Sequence, residues 1–409
     1  MESLKKLFKI GRGPSSSHTM APQIAAREFA KKHKVPDKYN VTLYGSLAAT
    51  GKGHLTDAAI TEALEPLAPV EIIWEPSIFL PFHPNGMKFE GIVNGEIADS
   101  WTVYSIGGGA LSDGVNSKAE KKESIYPMNK VTDIKNWCDE NGRTYWEYVE
   151  KCEGKEIWDY LREVWDVMRN TIEHGLQNEG VLPGGLGVQR KSATYLVKAK
   201  GYTDAMRNRG LLFSYALATS EENAAGGAIV TAPTCGSSGV LPAVLYYLKT
   251  TRDFPEIRLL RALATAGLFG NIVKKNASIS GAEVGCQGEV GVACAMAAAA
   301  SCQLFGGSPS QIEYAAELAL EHHLGLTCDP VCGFVQIPCI ERNAIAAARA
   351  FDSNIYAMFS DGKHRVSFDR VVAVMKETGH DIPSLYKETA EGGLAKHLKE
   401  KIEKQQEKL

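Results

Sequence analysis

Residues 281–343 read GAEVGCQGEVGVACAMAAAASCQLFGGSPSQIEYAAELALEHHLGLTCDPVCGFVQIPCIERN. Three cysteines in this stretch stand beside turn-formers. Cys286 lies in Gly285-Cys286-Gln287-Gly288, Cys328 precedes Asp329-Pro330, and Cys339 follows Pro338. Such neighbours hold a side chain at a fixed angle outside regular helix. Cys294 and Cys302 differ: they lie in the small-residue run Val290–Ala300 and its continuation, which reads as a buried helix. A free cysteine there is usually a small hydrophobe. Ser308-Pro309-Ser310-Gln311 is a helix start, with Ser at the N-cap, Pro at N1 and Gln at N3. That helix should run to about Leu324, stop at Gly325 and deliver Cys328 just beyond its end. Cys339 precedes an Ala-rich helix over 344–351. His322 and His323 are adjacent and point about 100° apart on a helix, so they read as surface or core residues rather than a metal pair.

Three fixed thiols without a fourth fit an iron–sulfur cluster with one iron left open, since most clusters are held by four cysteines. The separations 286 to 328 and 328 to 339 match no compact zinc or ferredoxin pattern. Spacing therefore leaves two readings: a metal centre, or buried structural thiols.

Outward from this stretch, composition excludes several classes. The 409 residues leave room for two or three domains, and 44% hydrophobic with 23% charged residues is ordinary for a globular chain. A formal charge of -3, from 45 basic and 48 acidic residues, argues against a nucleic-acid partner. The longest apolar-and-small run, Val292–Ala300, is too short to span a bilayer, so no membrane partner is expected. The opening MESLKKLFKIGRG has no apolar core of a signal peptide. Nine cysteines without export signals fit reduced thiols in a cytoplasm.

Residues 40–110 carry short β-rich runs, Asn40–Leu43, Val70–Trp74, Gly91–Val93 and Trp101–Ser105, separated by turns. From about Ile157 helical periodicity dominates, broken at Leu182–Leu186 and again over Ala232–Ala243. The polar stretch Ser112–Lys130 lies between. The expected architecture is an α+β N-terminal domain, a small sheet with helices, over 1–150 with the linker included. An all-α catalytic domain follows over 151–409.

The N-terminal half holds four polar words. Gly13-Pro14-Ser15-Ser16-Ser17-His18-Thr19 feeds a helix beginning near Met20. Hydroxyls and free N–H groups there can hold an anion such as an amino-acid carboxylate, or the serines can simply cap the helix. Gly51-Lys52-Gly53-His54 lacks Walker spacing and reads as a tight turn presenting His54 before a helix from Thr56 or Asp57. In Pro81-Phe82-His83-Pro84-Asn85-Gly86, Asn85-Gly86 alone would be a hairpin turn. Ser105-Ile106-Gly107-Gly108-Gly109 could cradle a phosphate, but no lysine context accompanies it for a pyridoxal Schiff base.

Four segments, NASISGAEVGCQGEVG (276–291), GLTCDPVCGFVQIPCIERNAIAA (325–347), LPGGLGVQR (182–190) and GPSSSHTMAP (13–22), resemble the iron–sulfur-dependent L-serine dehydratases, also called L-serine ammonia-lyases. The resemblance covers nearly the whole chain, including YKETAEGGLAKH near the C-terminus. It implies a [4Fe–4S] cluster on Cys286, Cys328 and Cys339, and L-serine as substrate. It implies catalytic roles for His54 as base, with His83 second, and for Ser105. It places Ser16, Ser17, His18, Thr19 and Asn85 in substrate binding. It also implies a homodimer. Some members end in a cysteine that covers the open iron. This chain ends Lys404-Gln405-Gln406-Glu407-Lys408-Leu409, which leaves Cys332 as the candidate to approach the cluster. Cys235 is not made a ligand. Competing readings are a related lyase acting on L-threonine or L-cysteine, a serine-sensing protein without catalysis, and a zinc protein.

Overall fold

The computed structural model describes residues 1–114 and 124–398. Part of the polar stretch, 115–123, and the tail from 399 onward lie outside the described residues. The N-terminal half carries β1 (Ile10–Arg12), α1 (Ala21–Lys32), β2 (Lys38–Tyr44), α2 (Gly45–Thr50), α3 (Thr56–Leu64), β3 (Val70–Glu75), β4 (Gly86–Val93), β5 (Glu96–Ser105) and β6 (Leu111–Ser112). Five strands form one sheet in the order β3-β2-β4-β5-β6, with β2 and β3 parallel and the other pairs antiparallel. The parallel pair needs a crossover, and α2 and α3 supply it. Alternate residues Tyr39, Val41 and Leu43 on β2 and Met87 and Phe89 on β4 turn to one face, where Phe29 of α1 and Ile60 and Leu64 of α3 cover them. This is the α+β layer expected from the strand runs.

The helical layer comprises α4 (Val131–Asn141), α5 (Tyr145–Glu153), α6 (Ile157–Gly175), α7 (Ser192–Lys200), α8 (Asp204–Ala224), the short strand β7 (Ala228–Val230), α9 (Val240–Arg252), α10 (Glu256–Asn276), α11 (Gly281–Val284), α12 (Val292–Leu304), α13 (Pro309–Glu321), α14 (Cys339–Met358) and α15 (Phe368–Asp381). At its centre lies α12, apolar on all sides and buried along its length, as a helix at the middle of a core must be. Cys294 and Cys302 sit on it, fully buried, and the Cys294 thiol donates to the Ala346 carbonyl at 3.3 Å. Both are the small hydrophobes expected. The capping box forms at α13, with Ser308 and Gln311 each bonding the other's backbone, and α13 ends at Glu321. The helix expected over 344–351 is longer, and Cys339 is its first residue.

The chain begins inside the helical layer. Leu4, Leu7 and Phe8 belong to its core, and β1 pairs antiparallel with β7, Ile10 opposite Val230. Helices α4 and α5 share that core through Ile134, Cys138, Tyr145 and Tyr148. Phe8 fits because position 267 is glycine: a Cβ there would stand 2.7 Å from the Phe8 ring and 2.8 Å from Leu4. Phe8→Ala should cost about 3–5 kcal/mol, read as a lower denaturation midpoint in urea. No resolvable change would mean that the arm is not part of the cooperative core.

Just past α13, the His323 ring is buried, its Nδ1 donates to the Ala319 carbonyl at 2.7 Å, and its Cβ crowds Gly291. Burial pushes its pKa from 6.5 down to about 4. The unfolded chain therefore binds the extra proton between those values. The neutral ring's contribution to stability is complete above about pH 6.5 and is lost as pH falls toward about 4. The stability gap between wild type and His323→Gln should narrow over that window. A constant gap would mean that the ring carries its proton in the fold.

Candidate active site

A narrow cavity opens where the two layers meet. Ser16, His54, Cys286, Glu289, Cys328, Cys339 and Glu388 are among the residues that line it. Cys286 follows Gly285, whose φ of +74° and close approach to the Leu326 carbonyl require glycine. After it comes a π-helical turn, Gln287–Gly291, and a second such turn, Ser16–Met20, faces the cavity from the N-terminal half. Turns of this kind concentrate at functional sites because the inserted residue redirects side chains. Glu289 and Ser16 enter the cavity from these two turns.

Cys328 is held strand-like against the C-terminal segment. Its N–H donates to the Tyr386 carbonyl at 2.9 Å, and the Glu388 N–H donates to its carbonyl at 2.7 Å. That pairing brings Glu388 into the cavity. Cys339 opens α14, and Asn343 one turn later ties the helix start to the 236–239 loop through the carbonyls of Cys339 and Gly236 and the N–H of Gly239. The Arg342 guanidinium donates to the Thr327 carbonyl at 2.7 Å and to Asp329 at 3.2 Å, which braces both flanks of Cys328.

The donor set suits a metal. Ligand atoms of Cys286, Glu289 and Cys328 lie within 4.8 Å of one another. The adjacent Cys286 thiol, together with burial, pushes the Cys328 thiol well up. Burial does the same to Cys339, and it raises the Glu289 and Glu388 carboxyls. So many acids with one low-dielectric surrounding cannot all ionise unless a cation compensates them. Burial works against the charge of Arg342, but the Cys286 and Cys339 thiols and Asp329 outweigh it and raise its pKa. One further observation fits a bound group: a Cβ on Gly281 would stand 2.7 Å from Glu289 Oε2 and 3.1 Å from Cys328 Sγ. Glycine keeps that space clear.

His18 and His54 face each other, ring centroids 4.5 Å apart. Two threonines cross-brace their backbones at 2.6 Å, Thr19 Oγ1 donating to the His54 carbonyl and Thr56 Oγ1 to the His18 carbonyl. The Gly51–Gly53 turn before α3 forms as expected, and His54 is fully buried. His54 Nδ1 faces the Thr50 carbonyl at 3.1 Å, an atom that can only accept, so Nδ1 carries the proton. Nε2 is then a bare acceptor, and it is buried with no hydrogen-bond partner among the described residues. Burial lowers the His54 pKa from 6.5 to about 4, so the ring is neutral. Burial, with His54 as neighbour, pushes His18 well down too. Its ring nitrogens meet the hydroxyls of Ser17 at 2.9 Å and Ser46 at 3.1 Å.

His83, Asn85 and Ser105 form a second buried group. Backbone donors tie them together: Asn85 N–H donates to the His83 ring Nδ1 at 3.1 Å and Ser105 N–H to the Asn85 carbonyl at 2.9 Å. His83 Nδ1 therefore accepts, and Nε2 carries the proton. His83 Nε2, both polar atoms of the Asn85 side chain and Ser105 Oγ have no partner among the described residues. Buried polar groups are nearly always satisfied, so orphans gathered this way mark a place for a ligand. The group is not part of the cavity wall around the thiols. Ser17 and Thr19 spend their hydroxyls on His18 and His54 rather than on the cavity. Ser15 Oγ caps the turn by accepting from the His18 N–H at 3.1 Å, as the plain capping reading has it. Cys332 sits at φ +52° and is not among the cavity-lining residues, and Cys235 packs on Met20.

Glu289, Glu388 and Arg342 were not singled out from the sequence. The lone signal for Glu289 was its place three residues after Cys286. Residues 85–395 match the serine dehydratase alpha chain family and residues 3–73 the serine dehydratase beta chain family. The chain is 42% identical to L-serine dehydratase 2 of Escherichia coli, over 97% of this chain and 98% of that protein. It is 41% identical to the L-serine dehydratase of Streptomyces coelicolor, over 97% and 99%. It is 34% identical to the L-serine dehydratase of Helicobacter pylori, over 97% and 99%. Both family matches fall on this one chain, the beta-chain match first and the alpha-chain match after it from β4 onward, and the chain belongs to the serine dehydratase family.

Proposed function

We propose that the protein is an L-serine ammonia-lyase that converts L-serine to pyruvate and ammonia, with a [4Fe–4S] cluster on Cys286, Cys328 and Cys339. The observation that carries this reading is the bare, buried Nε2 of His54 on the wall that the three thiols share. When bound, the cluster would supply a Lewis-acidic iron that stabilises charge on the departing hydroxyl oxygen. The chain's own residues do the rest. His54 Nε2 takes the Cα proton of serine, the C–H electron pair forms the Cα=Cβ bond as the Cβ–O bond breaks, and the His54 imidazolium returns the proton to the departing hydroxide as water. The aminoacrylate so formed tautomerises to the imine, which water hydrolyses to pyruvate and ammonia. A pKa of about 4 makes His54 a weak base before substrate arrives. The substrate carboxylate then favours the imidazolium by placing an opposite charge nearby. His18, held between two hydroxyls, packs on the His54 ring and fixes its plane. His83 Nε2–H is a donor, which suits it to orient a carboxylate oxygen rather than to take a proton. Asn85, Ser105 and the Ser16–Thr19 turn complete the positioning of ammonium and carboxylate, the turn chiefly by holding the two histidines.

No helix among the described residues is long and apolar enough to cross a membrane. The nine free cysteines are consistent with a reducing cytoplasm. We read the protein as a homodimer, supported by exposed apolar residues on and after α14, Ile345, Tyr356 and Phe359, the last 90% exposed.

Two outcomes test this reading. Cys286→Ala, Cys328→Ala and Cys339→Ala should each lose iron and sulfide on anaerobic purification, while Cys294→Ala and Cys302→Ala keep both. Full iron retention in Cys286→Ala would remove the cluster assignment. His54→Ala should keep the cluster's colour and still bind serine, yet lose about 10²–10⁴-fold in kcat and lose exchange of the Cα proton with solvent deuterium. If His83→Ala abolishes that exchange instead, the two histidines trade roles. Release of 2-oxo acid from a panel of serine, threonine and cysteine fixes the substrate.

A further inference from the structure

Glu289 has features of a metal ligand rather than of a structural acid. Its Oε2 lies 4.0 Å from Cys286 Sγ and 3.7 Å from Cys328 Sγ. Its other oxygen is tied down: Thr234 Oγ1 donates to Oε1 at 2.7 Å, and Thr234 is itself set by Ser237 Oγ at 3.1 Å. Metal-bound carboxylates show this division, one oxygen free for the ion and the other oriented by a neighbour. Glycines flank the group on two sides. A Cβ on Gly281 would meet Oε2 at 2.7 Å, and one on Gly236 would meet Oε1 at 3.5 Å. The cavity is thus shaped to admit this carboxylate among the thiols. The other carboxyl on the wall, Glu388, is set differently: its Oε1 lies 3.9 Å from His18 Nδ1.

A carboxyl beside two thiols in a desolvated pocket is costly without a cation. An amide would accept the Thr234 hydrogen bond equally well. We propose that Glu289, through Oε2, is the non-cysteine ligand of the metal centre in the substrate-free protein. This inference rests on the reading of Cys286, Cys328 and Cys339 as metal ligands. Among the described residues no fourth cysteine lines the cavity, so the one iron without a thiolate takes an oxygen ligand from the protein. A carboxylate binds iron less tightly than a thiolate and can yield the position to substrate. Glu289 then holds the centre intact between turnovers.

The test compares anaerobically purified wild type with Glu289→Gln, which keeps the Thr234 contact, and Glu289→Cys. Gly281→Ala is a second route: it keeps the carboxylate but crowds Oε2, and to a lesser degree Cys328 Sγ. Iron and sulfide content, Mössbauer spectra of ⁵⁷Fe-loaded protein and the rate of iron loss to a chelator are measured. In wild type one iron subsite should be distinct from the sulfur-ligated ones. Glu289→Gln should shift that subsite's parameters and lose its iron about tenfold faster or more, the low end of the loss seen when even an outer partner of a metal site is removed. Gly281→Ala should do the same in lesser degree. Glu289→Cys should make the subsite resemble the others and slow its loss. Unchanged near-UV circular dichroism in Glu289→Gln separates a ligand effect from misfolding. If Glu289→Gln leaves the subsite and the loss rate as in wild type, Glu289 is not a ligand, even where kcat falls. If wild type carries a metal without sulfide, the cluster reading fails, while retention or loss of that metal in Glu289→Gln still decides the ligand. Wild type with no metal at all overturns both.

Discussion

Acidic groups crowded out of water are the constraint on which this structure depends. Cys286, Cys328, Cys339, Glu289 and Glu388 line one narrow cavity, where the low dielectric of the surroundings screens charge poorly. The neighbouring Cys286 thiol and burial raise Cys328, and burial raises Cys339, Glu289 and Glu388. Much of the surrounding framework keeps them together against that cost. Gln287 accepts from the Gly325 N–H and from Thr378 and donates to the Met375 carbonyl, which locks the Cys286 turn to α15. Asp329 accepts from Arg342 and from the Leu394 N–H, which anchors the Cys328 turn to the C-terminal segment. Position 393 must be glycine there, because a Cβ would stand 2.3 Å from the Asp329 carboxylate.

The histidine side answers the same problem with the opposite chemistry. His18 and His54 are buried without a charged partner strong enough to ionise them, and both are held neutral. Neutrality gives each ring one donor and one acceptor, and the backbone decides which nitrogen is which. The Thr50 carbonyl takes the His54 Nδ1 proton, while the Asn85 N–H occupies the lone pair of His83 Nδ1. Two histidines that look alike as residues thus present opposite faces, an acceptor and a donor.

Neither layer holds the site alone. The N-terminal arm is anchored in the helical core by Leu4 and Phe8 and by the β1–β7 pair before it crosses to the small sheet. Gly13 passes so close to Asn223 that a Cβ would stand 2.2 Å from its side chain, and Asn223 holds the Pro14 carbonyl at 3.0 Å. Those contacts seat the Ser16–Met20 turn opposite the Gln287–Gly291 turn.

The sequence by itself determined what depends on near neighbours. The β-rich runs of the small sheet, the Ser308 cap, the tight turn before His54 and the contrast between turn-flanked Cys286, Cys328 and Cys339 and helix-buried Cys294 and Cys302 were all legible, because each rests on a few consecutive residues. Family words added which residues to watch. What the sequence left open depends on residues far apart in the chain. Nothing local marks Leu4 and Phe8 as core of a layer whose other members begin more than a hundred residues later, or sets Glu388 beside Cys328. The pKa of His54 falls from 6.5 to about 4 because burial is a property of the assembled layers. Glu289 drew no reading from its own neighbours. Only the π-helical turn, Thr234 from 55 residues away and the missing Cβ of Gly281 aim it at the thiols, and those are facts of three-dimensional proximity.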